Sequence, residues 1–129
     1  MHELSLAGGI LGLVEDAARR ERFARVRVLR LEAGALAGVE VHALRFALDA
    51  ITPGTCLAGA RIDIDEPSAS AWCMDCCRSV TIESRLDPCS LCGGTRLQPT
   101  GGTSLRIVEL LVDDGSVSTA ESAAISSGA

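Results

Sequence analysis

The motifs CMDC at residues 73–76 and CSLC at residues 89–92 are the strongest structural signal in this 129-residue chain, and they predict a small module held together by a metal. Each motif brings two cysteine thiolates to one point, and residues 77–88 separate the two motifs. This spacing is typical of a structural site in which four thiolates surround a tetrahedral Zn²⁺ ion. The predicted zinc ligands are Cys73, Cys76, Cys89 and Cys92.

Two other cysteines bear on this prediction. Cys77 directly follows Cys76 and could replace it as a ligand, but Cys76 is favoured because it reproduces the spacing of the second motif. Cys56 lies outside the motifs and is interpreted as a small buried apolar residue. A thioredoxin-like redox pair needs only one such motif, and iron–sulfur clusters use other spacings. Since four thiolates close the coordination sphere, the metal is expected to be structural and not catalytic.

Helical periodicity marks two segments upstream of the motifs. Apolar residues recur at helical spacing from residue 4 to about residue 20, and again over residues 41–51. Pro53 and Gly54 are expected to end the second helix. The small residues Gly8, Gly9 and Gly12 in the first helix are expected to allow another element to approach closely.

Three further segments are predicted to be strands. Residues 25–33 alternate in polarity but change parity, which indicates a strand with either a bulge or two covered faces. Residues 60–65 and 105–112 complete the set. The resulting fold class is α+β, in which a small three-stranded sheet is covered by two helices and carries an inserted four-cysteine zinc-binding module.

The same patterns set the expected domain boundaries. Residues 1–66 together with residues 103–113 form an α/β domain, and residues 67–102 form the zinc-binding domain. The Ser-, Ala- and Gly-rich tail over residues 114–129 is expected to be disordered.

Composition limits the partners and the compartment. The formal net charge is −5, and Zn²⁺ bound by four thiolates adds two negative charges, so nucleic acid is not an expected partner. The apolar run at residues 4–14 lacks a basic start and leads into Glu15 and Asp16, so it is not a signal peptide, and no run is long enough for a membrane span. The protein is therefore predicted to be soluble and cytoplasmic. In that reducing compartment, paired Cys-x-x-Cys motifs favour metal binding or redox chemistry over structural disulfides.

A second possible metal site lies at Met1-His2-Glu3. The large His2 side chain is expected to prevent removal of Met1 by aminopeptidase. The terminal amine, neighbouring backbone nitrogens and the His2 imidazole could then chelate Ni(II) or Cu(II) in a planar arrangement. A histidine at position 2 is also often incidental. His42 is expected to lie on the surface of the second helix and not to be a ligand.

Several motifs occur together in a characteristic order: Met1-His2-Glu3, Phe46 within LRFA at residues 44–47, Gly54-Thr55, and the two cysteine motifs. In this combination, over residues 1 to about 113, the chain resembles the HypA/HybF family of nickel-insertion accessory proteins for [NiFe] hydrogenase maturation. Two features depart from the family pattern. Cys77 stands where the family usually has Gly, and residues 101–104 lack the usual acidic residue.

The resemblance implies a nickel metallochaperone and not an enzyme. Nickel would be bound by His2, with the Met1 amine and the backbone nitrogens of His2 and Glu3, and the Glu3 side chain would support the site. Zinc would be a structural cofactor and nickel a transferred cargo. The implied partners are a HypB-type GTPase and the [NiFe] hydrogenase large subunit, without nucleic acid or membrane, and the chain would be a monomer or weak homodimer.

Two other functions remain open on the sequence. The first is a zinc-ribbon protein-interaction module without nickel delivery. Residues 66–102 contain three arginines against four acidic residues, so this module has no basic patch for nucleic acid. The second is a thiol oxidoreductase, which would require one accessible cysteine with a low pKa.

Overall fold

The computed structural model describes residues 2–114, 117–118 and 124–125. The elements in chain order are α1 His2–Glu21, β1 Val26–Ala33, α2 Val41–Ile51, β2 Arg61–Asp65, β3 Ala69–Cys73, β4 Arg78–Ile82, β5 Leu97–Gly101, β6 Leu105–Val112, β7 Val117–Ser118 and β8 Ala124–Ile125. Two helices, a sheet packed against them and a cysteine-rich insert confirm the predicted α+β class.

Helix α1 turns an apolar stripe toward the core. The buried residues of this stripe are Leu6, Ala7, Ile10, Val14 and Ala17. They recur every three or four positions, as expected for a half-buried helix. Gly8 and Gly12 lie on the exposed side, where an added Cβ would have no neighbouring atom within 4 Å. The expectation that these two glycines allow close approach is therefore wrong.

Helix α2 begins and ends as its sequence predicts. The Glu40 carboxylate accepts hydrogen bonds from the N–H groups of His42 at 3.2 Å and Ala43 at 2.6 Å, which satisfies two unpaired donors of the first turn. At the other end Thr52 donates its N–H to the Leu48 carbonyl, and Gly54 takes a positive φ of 80° as the chain turns away. The buried side of the helix consists of Leu44, Ala47 and Leu48.

The first sheet lies behind the helices and has five strands in the described residues, in the order β2-β1-β6-β7, with β8 also paired to β6. Strand β1 pairs parallel with β2 and antiparallel with β6. Its register with β6 shifts between Val26 and Val28 and again between Arg30 and Leu31, so the change of parity reflects a bulged strand. Most of the predicted tail lies outside the described residues, and its described parts, β7 and β8, both pair with β6.

The core of this domain fills the space between the two helices and one face of the sheet. The buried strand residues are Val26, Leu29, Leu31, Ala33, Ile62, Leu105, Ile107, Leu110 and Val112. The opposite face carries ion pairs, in which Arg30 contacts Glu109 at 2.9 Å and Arg106 contacts Glu32 at 2.9 Å.

The insert contains a sheet of its own, which the sequence pattern did not predict. Its strands lie in the order β4-β3-β5, all antiparallel, and fall within residues 69–101. The buried residues of its core are Leu36, Ala69, Ala71, Cys73, Val80, Ile82 and Cys89. Leu36 comes from the loop between β1 and α2, so this loop completes the core of the insert.

The loop that carries Leu36 is bonded to both ends of the insert. Ala35 donates its N–H to the Pro67 carbonyl at 3.0 Å, and Leu36 donates to the Gly102 carbonyl at 2.8 Å. A Cβ added at Gly34 would lie 2.3 Å from the Gly102 oxygen, so only glycine fits there. These contacts fix the insert against the first domain.

Candidate metal centres

Four cysteine sulfurs converge at one end of the insert. The Sγ atoms of Cys73, Cys76, Cys89 and Cys92 all lie within 4.8 Å of one another. Cys73 and Cys92 are 3.7 Å apart, as are Cys76 and Cys89. A tetrahedral ion with Zn–S bonds of about 2.3 Å requires sulfurs about 3.8 Å apart. Two sulfur pairs already have this spacing, so the arrangement could hold one metal ion once the other pairs, which lie within 4.8 Å, close toward it.

The two cysteine motifs fold in the same way. Cys77 donates its N–H to the Cys73 carbonyl at 2.9 Å, and Gly93 donates to the Cys89 carbonyl at 2.9 Å. Both Cys77, with φ of 54°, and Gly93, with φ of 75°, adopt the left-handed conformation directly after the second cysteine of their motif. Each turn therefore reverses the chain so that its two sulfurs point the same way.

Backbone N–H groups point at the sulfurs and stabilise their charged form. Cys76 donates to the Cys73 sulfur at 3.5 Å, Leu91 to the Cys89 sulfur at 3.4 Å, and Gly94 to the Cys92 sulfur at 3.4 Å. The N–H groups of Cys92 and Leu91 lower the pKa of Cys89 to about 7.

The neighbouring sulfurs have the opposite effect on Cys76 and Cys92. The Gly94 N–H acts to lower the pKa of Cys92, but the neighbouring sulfurs, Cys73 foremost, raise it above its usual value. Hydrogen bonding to the Cys73 sulfur is the main reason that the pKa of Cys76 rises to about 12. A bound divalent ion would displace the protons that hydrogen-bond one sulfur to another, because a thiol that coordinates a metal is deprotonated.

The remaining cysteines lie outside this group. The Cys77 thiol is exposed, although its backbone belongs to the first turn. Cys56 is half-buried and packs against the core of the first domain, and its burial raises the pKa of its thiol. The geometry thus favours Cys76 over Cys77 as a ligand.

Replacing Cys77 with glycine is expected to stabilise the metal-loaded insert by up to about 1 kcal/mol. A left-handed residue with a side chain costs about 1–2 kcal/mol, part of which is offset by the greater freedom of glycine in the unfolded chain. Chelator competition would register this gain as about fivefold tighter zinc binding. Cys77→Ser is the matched control, because it removes the sulfur and keeps the Cβ; an equal gain in that variant would contradict the backbone explanation.

An ion pair links the first cysteine motif to the segment that follows the second. Arg96 Nε donates to Asp75 Oδ1 at 2.9 Å, and the Arg96 carbonyl accepts from the Met74 N–H at 2.9 Å. A Cβ at Gly94 would lie 2.6 Å from Asp75 Oδ2, so this position needs a glycine unless Asp75 moves. The pair is exposed, so it orients the two turns more than it stabilises them.

The other predicted metal site lies where the two helices begin. His2 is exposed and is the first residue of α1. The Glu3 carboxylate accepts the Glu40 N–H at 3.1 Å, and this bond is the main reason that the pKa of Glu3 is lowered. Because Glu40 caps α2, Glu3 ties the start of α1 to the start of α2. Sequence reasoning missed Glu40, since the contact joins positions 37 residues apart.

Backbone nitrogens at this end have no acceptor within the helix. The first four N–H groups of a helix have no intrahelical acceptor, and those of His2 and Glu3 belong to this set. Among the described residues, no group of three or more potential side-chain ligands includes His2. A metal bound here would therefore depend on main-chain nitrogens as well as the imidazole.

A cavity of about 550 Å³ lies on the open face of the first sheet, away from every predicted site residue. Its three arginines already have partners: Arg30 pairs with Glu109, Arg61 with Asp63 at 3.1 Å, and Arg45 with the Ile62 carbonyl at 2.6 Å. These paired cations give no reason to assign a ligand to the cavity.

In the described part of the chain, no helix is long and apolar enough to cross a bilayer.

Comparison with known proteins identifies the family of the chain. The model of the family described as "Hydrogenase/urease nickel incorporation, metallochaperone, hypA" matches residues 1–112. The hydrogenase maturation factor HypA of Cupriavidus necator is 68% identical over 114 residues, which cover 88% of this chain and 96% of the relative. The protein of the same name from Polaromonas naphthalenivorans is 62% identical over 114 residues, covering 88% and 99%.

Solved structures show a similar fold. The solution structure of the Ni metallochaperone HypA from Helicobacter pylori matches with a TM-score of 0.63 at 18% identity, over 87% of this chain and 97% of that one. The resemblance noted in the sequence is therefore confirmed. The chain belongs to the HypA family of hydrogenase/urease nickel-incorporation metallochaperones.

Proposed function

We propose that this protein binds Ni(II) at its amino-terminal end and delivers it for maturation of [NiFe] hydrogenase, while a zinc ion at the four cysteines holds the insert together. The observation that carries the proposal is the exposed His2 at the start of α1, beside backbone nitrogens without helical partners. Membership in a nickel-incorporation family supports the choice of metal.

The proposed nickel ligands are the His2 imidazole, the Met1 amine and the backbone nitrogens of His2 and Glu3. Nitrogen donors in a planar arrangement suit Ni(II). Using these backbone nitrogens breaks no hydrogen bond of α1, because they lie in its first turn. The Glu3 side chain supports the site indirectly, by fixing the start of α1 to Glu40 at 3.1 Å. An exposed site also suits a cargo that must be released.

The proposed zinc site is structural. The sulfur–sulfur distances of 3.7 Å match those required by a tetrahedral Zn²⁺ ion. Four thiolates leave no position for water or substrate at the zinc ion. Because the family is one of metallochaperones, we propose that the protein is not an enzyme.

The proposed partners are a HypB-type GTPase and the [NiFe] hydrogenase large subunit. The family description names nickel incorporation into hydrogenase and urease, which supports a partner from this maturation route. We propose that nickel delivery takes place in the cytoplasm, where a reducing environment would keep the cysteines as thiols. We also propose that the protein is a monomer or weak homodimer. No nucleic acid or membrane is required.

A zinc-ribbon protein-interaction module without nickel delivery is the second candidate. It is favoured by apolar side chains on the surface of the insert, where Leu86 is 91% exposed and both Met74 and Leu91 are also exposed. This function would need no ligand at His2, so metal stoichiometry separates the two candidates.

Metal analysis after equilibrium dialysis against both ions is the direct test. We expect one zinc ion that resists exchange and one nickel ion that dialyses away in the presence of a chelator. The zinc ion should remain when nickel is added in excess, because the two sites share no ligand. Binding of nickel only by displacement of zinc from the cysteines would contradict nickel delivery and favour the interaction module.

A further inference from the structure

Phe46 stands out on the surface of helix α2. Its side chain is 77% exposed. The chain has only three aromatic residues, so leaving one of them outside the core is unexpected. Phe46 forms one wall of an open groove of about 450 Å³ between the two helices. The groove is lined by Glu3, Leu4, Ala43, Phe46, Ala47 and Ala50. A mostly apolar cleft of this volume with a polar group at its edge is a candidate binding site.

The shape of the groove suits a helix. Ala43, Ala47 and Ala50 follow one another at helical spacing and give α2 a smooth floor, while Leu4 and Phe46 project beside it. From Ala43 to Ala50 the floor extends about 10 Å, which matches roughly two turns of a partner helix. Apolar side chains at positions i, i+4 and i+7 of a partner could therefore lie along it.

The carboxylates around the groove favour a partner helix with basic side chains. Glu3 lines the groove, and the neighbouring carboxylates are those of Glu40, beside it, and Asp49, three positions after Phe46 on α2. Arg45 is directed elsewhere, since its guanidinium donates to the Ile62 carbonyl at 2.6 Å. A second copy of this chain would bring two acidic surfaces together, whereas a basic helix would complement them.

The groove lies next to the proposed nickel site. Glu3 belongs both to the groove and to the proposed nickel-binding end, directly after His2. A partner in the groove would thus lie next to the ion.

We propose that this groove docks an amphipathic helix of the protein that receives nickel, with apolar side chains against Phe46 and lysine or arginine side chains near Asp49. The assignment of this partner rests on the proposed function. Docking here would bring the receiving protein to the metal without involving the cysteines.

The test uses a synthetic amphipathic peptide with leucines at i, i+4 and i+7 flanked by lysines, and a twin peptide with glutamates in their place. Anisotropy titrations with the full chain should show binding of the lysine peptide and much weaker binding of the glutamate peptide. Phe46→Ala should weaken lysine-peptide binding at least about tenfold. Asp49→Asn should weaken it severalfold and reduce its salt dependence.

Controls separate docking from folding. Phe46→Ala should leave the thermal midpoint unchanged, because the ring is mostly exposed. Leu86→Ala removes a side chain that is 91% exposed on the insert and should not change peptide binding. Equal binding by wild type and Phe46→Ala, or by both peptides, would overturn the proposal. So would a wild-type dimer in ultracentrifugation that Phe46→Ala abolishes, since a second copy would then fill the groove.

Nickel titrations in parallel keep the two proposals distinct. Phe46→Ala should retain wild-type nickel affinity, because the ring supplies no ligand. Absence of nickel binding in the wild type would refute nickel delivery, whatever the peptide result. Normal nickel binding with peptide binding that is insensitive to Phe46 would refute only the docking groove.

Discussion

Replacing His2 with glutamine is expected to lower the affinity for Ni(II) by more than about a hundredfold. Loss of a partner outside the coordination sphere of a metal already costs about 10- to 100-fold, and the His2 imidazole is proposed as a direct ligand. Glutamine is preferred to alanine because a small second residue would allow removal of Met1 and alter the proposed amine ligand. Calorimetric titration with Ni(II) gives the affinity.

His42→Gln is the matched control for this variant. His42 is exposed in the first turn of α2, where only its backbone N–H contacts Glu40. Its loss should leave nickel affinity unchanged, and both variants should keep the wild-type circular dichroism spectrum. Wild-type affinity in His2→Gln, or a comparable loss in His42→Gln, would show that the ligand is assigned to the wrong histidine. In the wild type, affinity should fall in acid, since protons compete for the nitrogen ligands.

Replacing Cys73 with serine is expected to release zinc and unfold the insert while the first domain stays folded. Structural zinc sites contribute about 10–16 kcal/mol of apparent binding free energy at neutral pH, and this energy also drives folding. The 36 residues from 67 to 102 fall below the roughly 40 residues that usually fold without a metal or disulfide. Two of the seven buried residues in the insert core, Cys73 and Cys89, are themselves proposed ligands.

Zinc content and amide NMR spectra would measure the two parts of this result. Signals from β3, β4 and β5 should collapse toward unfolded positions, while those from α1, which packs in a separate core, should persist. Cys77→Ser serves as the control and should retain one zinc ion, because its thiol lies outside the group of four. Zinc loss in Cys77→Ser with retention in Cys76→Ser would require a different ligand set.

The two helices and the strands packed against them could be predicted from the sequence because their periodic patterns are strong. Helix α2 was predicted over its observed bounds, Val41–Ile51, and β6 likewise over Leu105–Val112. The strands of the insert were missed because their residues give weak signals. Strand β3 is rich in Ala and Ser, and β5 contains Pro99 and ends at Gly101, both unusual within strands.

Site features that depend on a short stretch of sequence could be predicted, whereas contacts between distant residues could not. Cysteine spacing predicted which four sulfurs could meet, because each motif is a single turn of chain. Spacing also favoured Cys76 over Cys77, and the backbone gives the physical reason: Cys77 is itself the left-handed residue after the first motif, and its thiol is exposed. The contact between Glu3 and Glu40 could not be predicted, because no local pattern encodes the meeting of two helix starts.

Leu36 makes the insert a discontinuous unit, and this affects how chimeras of the family should be made. A graft of residues 67–102 alone would leave the recipient's own residue at position 36 in a foreign core. It would also separate Gly34 from the Gly102 against which it fits. A graft that carries residues 34–37 together with residues 67–102 would transfer the complete packing unit. Exchange of zinc modules between relatives therefore requires two exchanged segments and four crossovers, whereas the cysteine motifs alone suggest one segment and two crossovers.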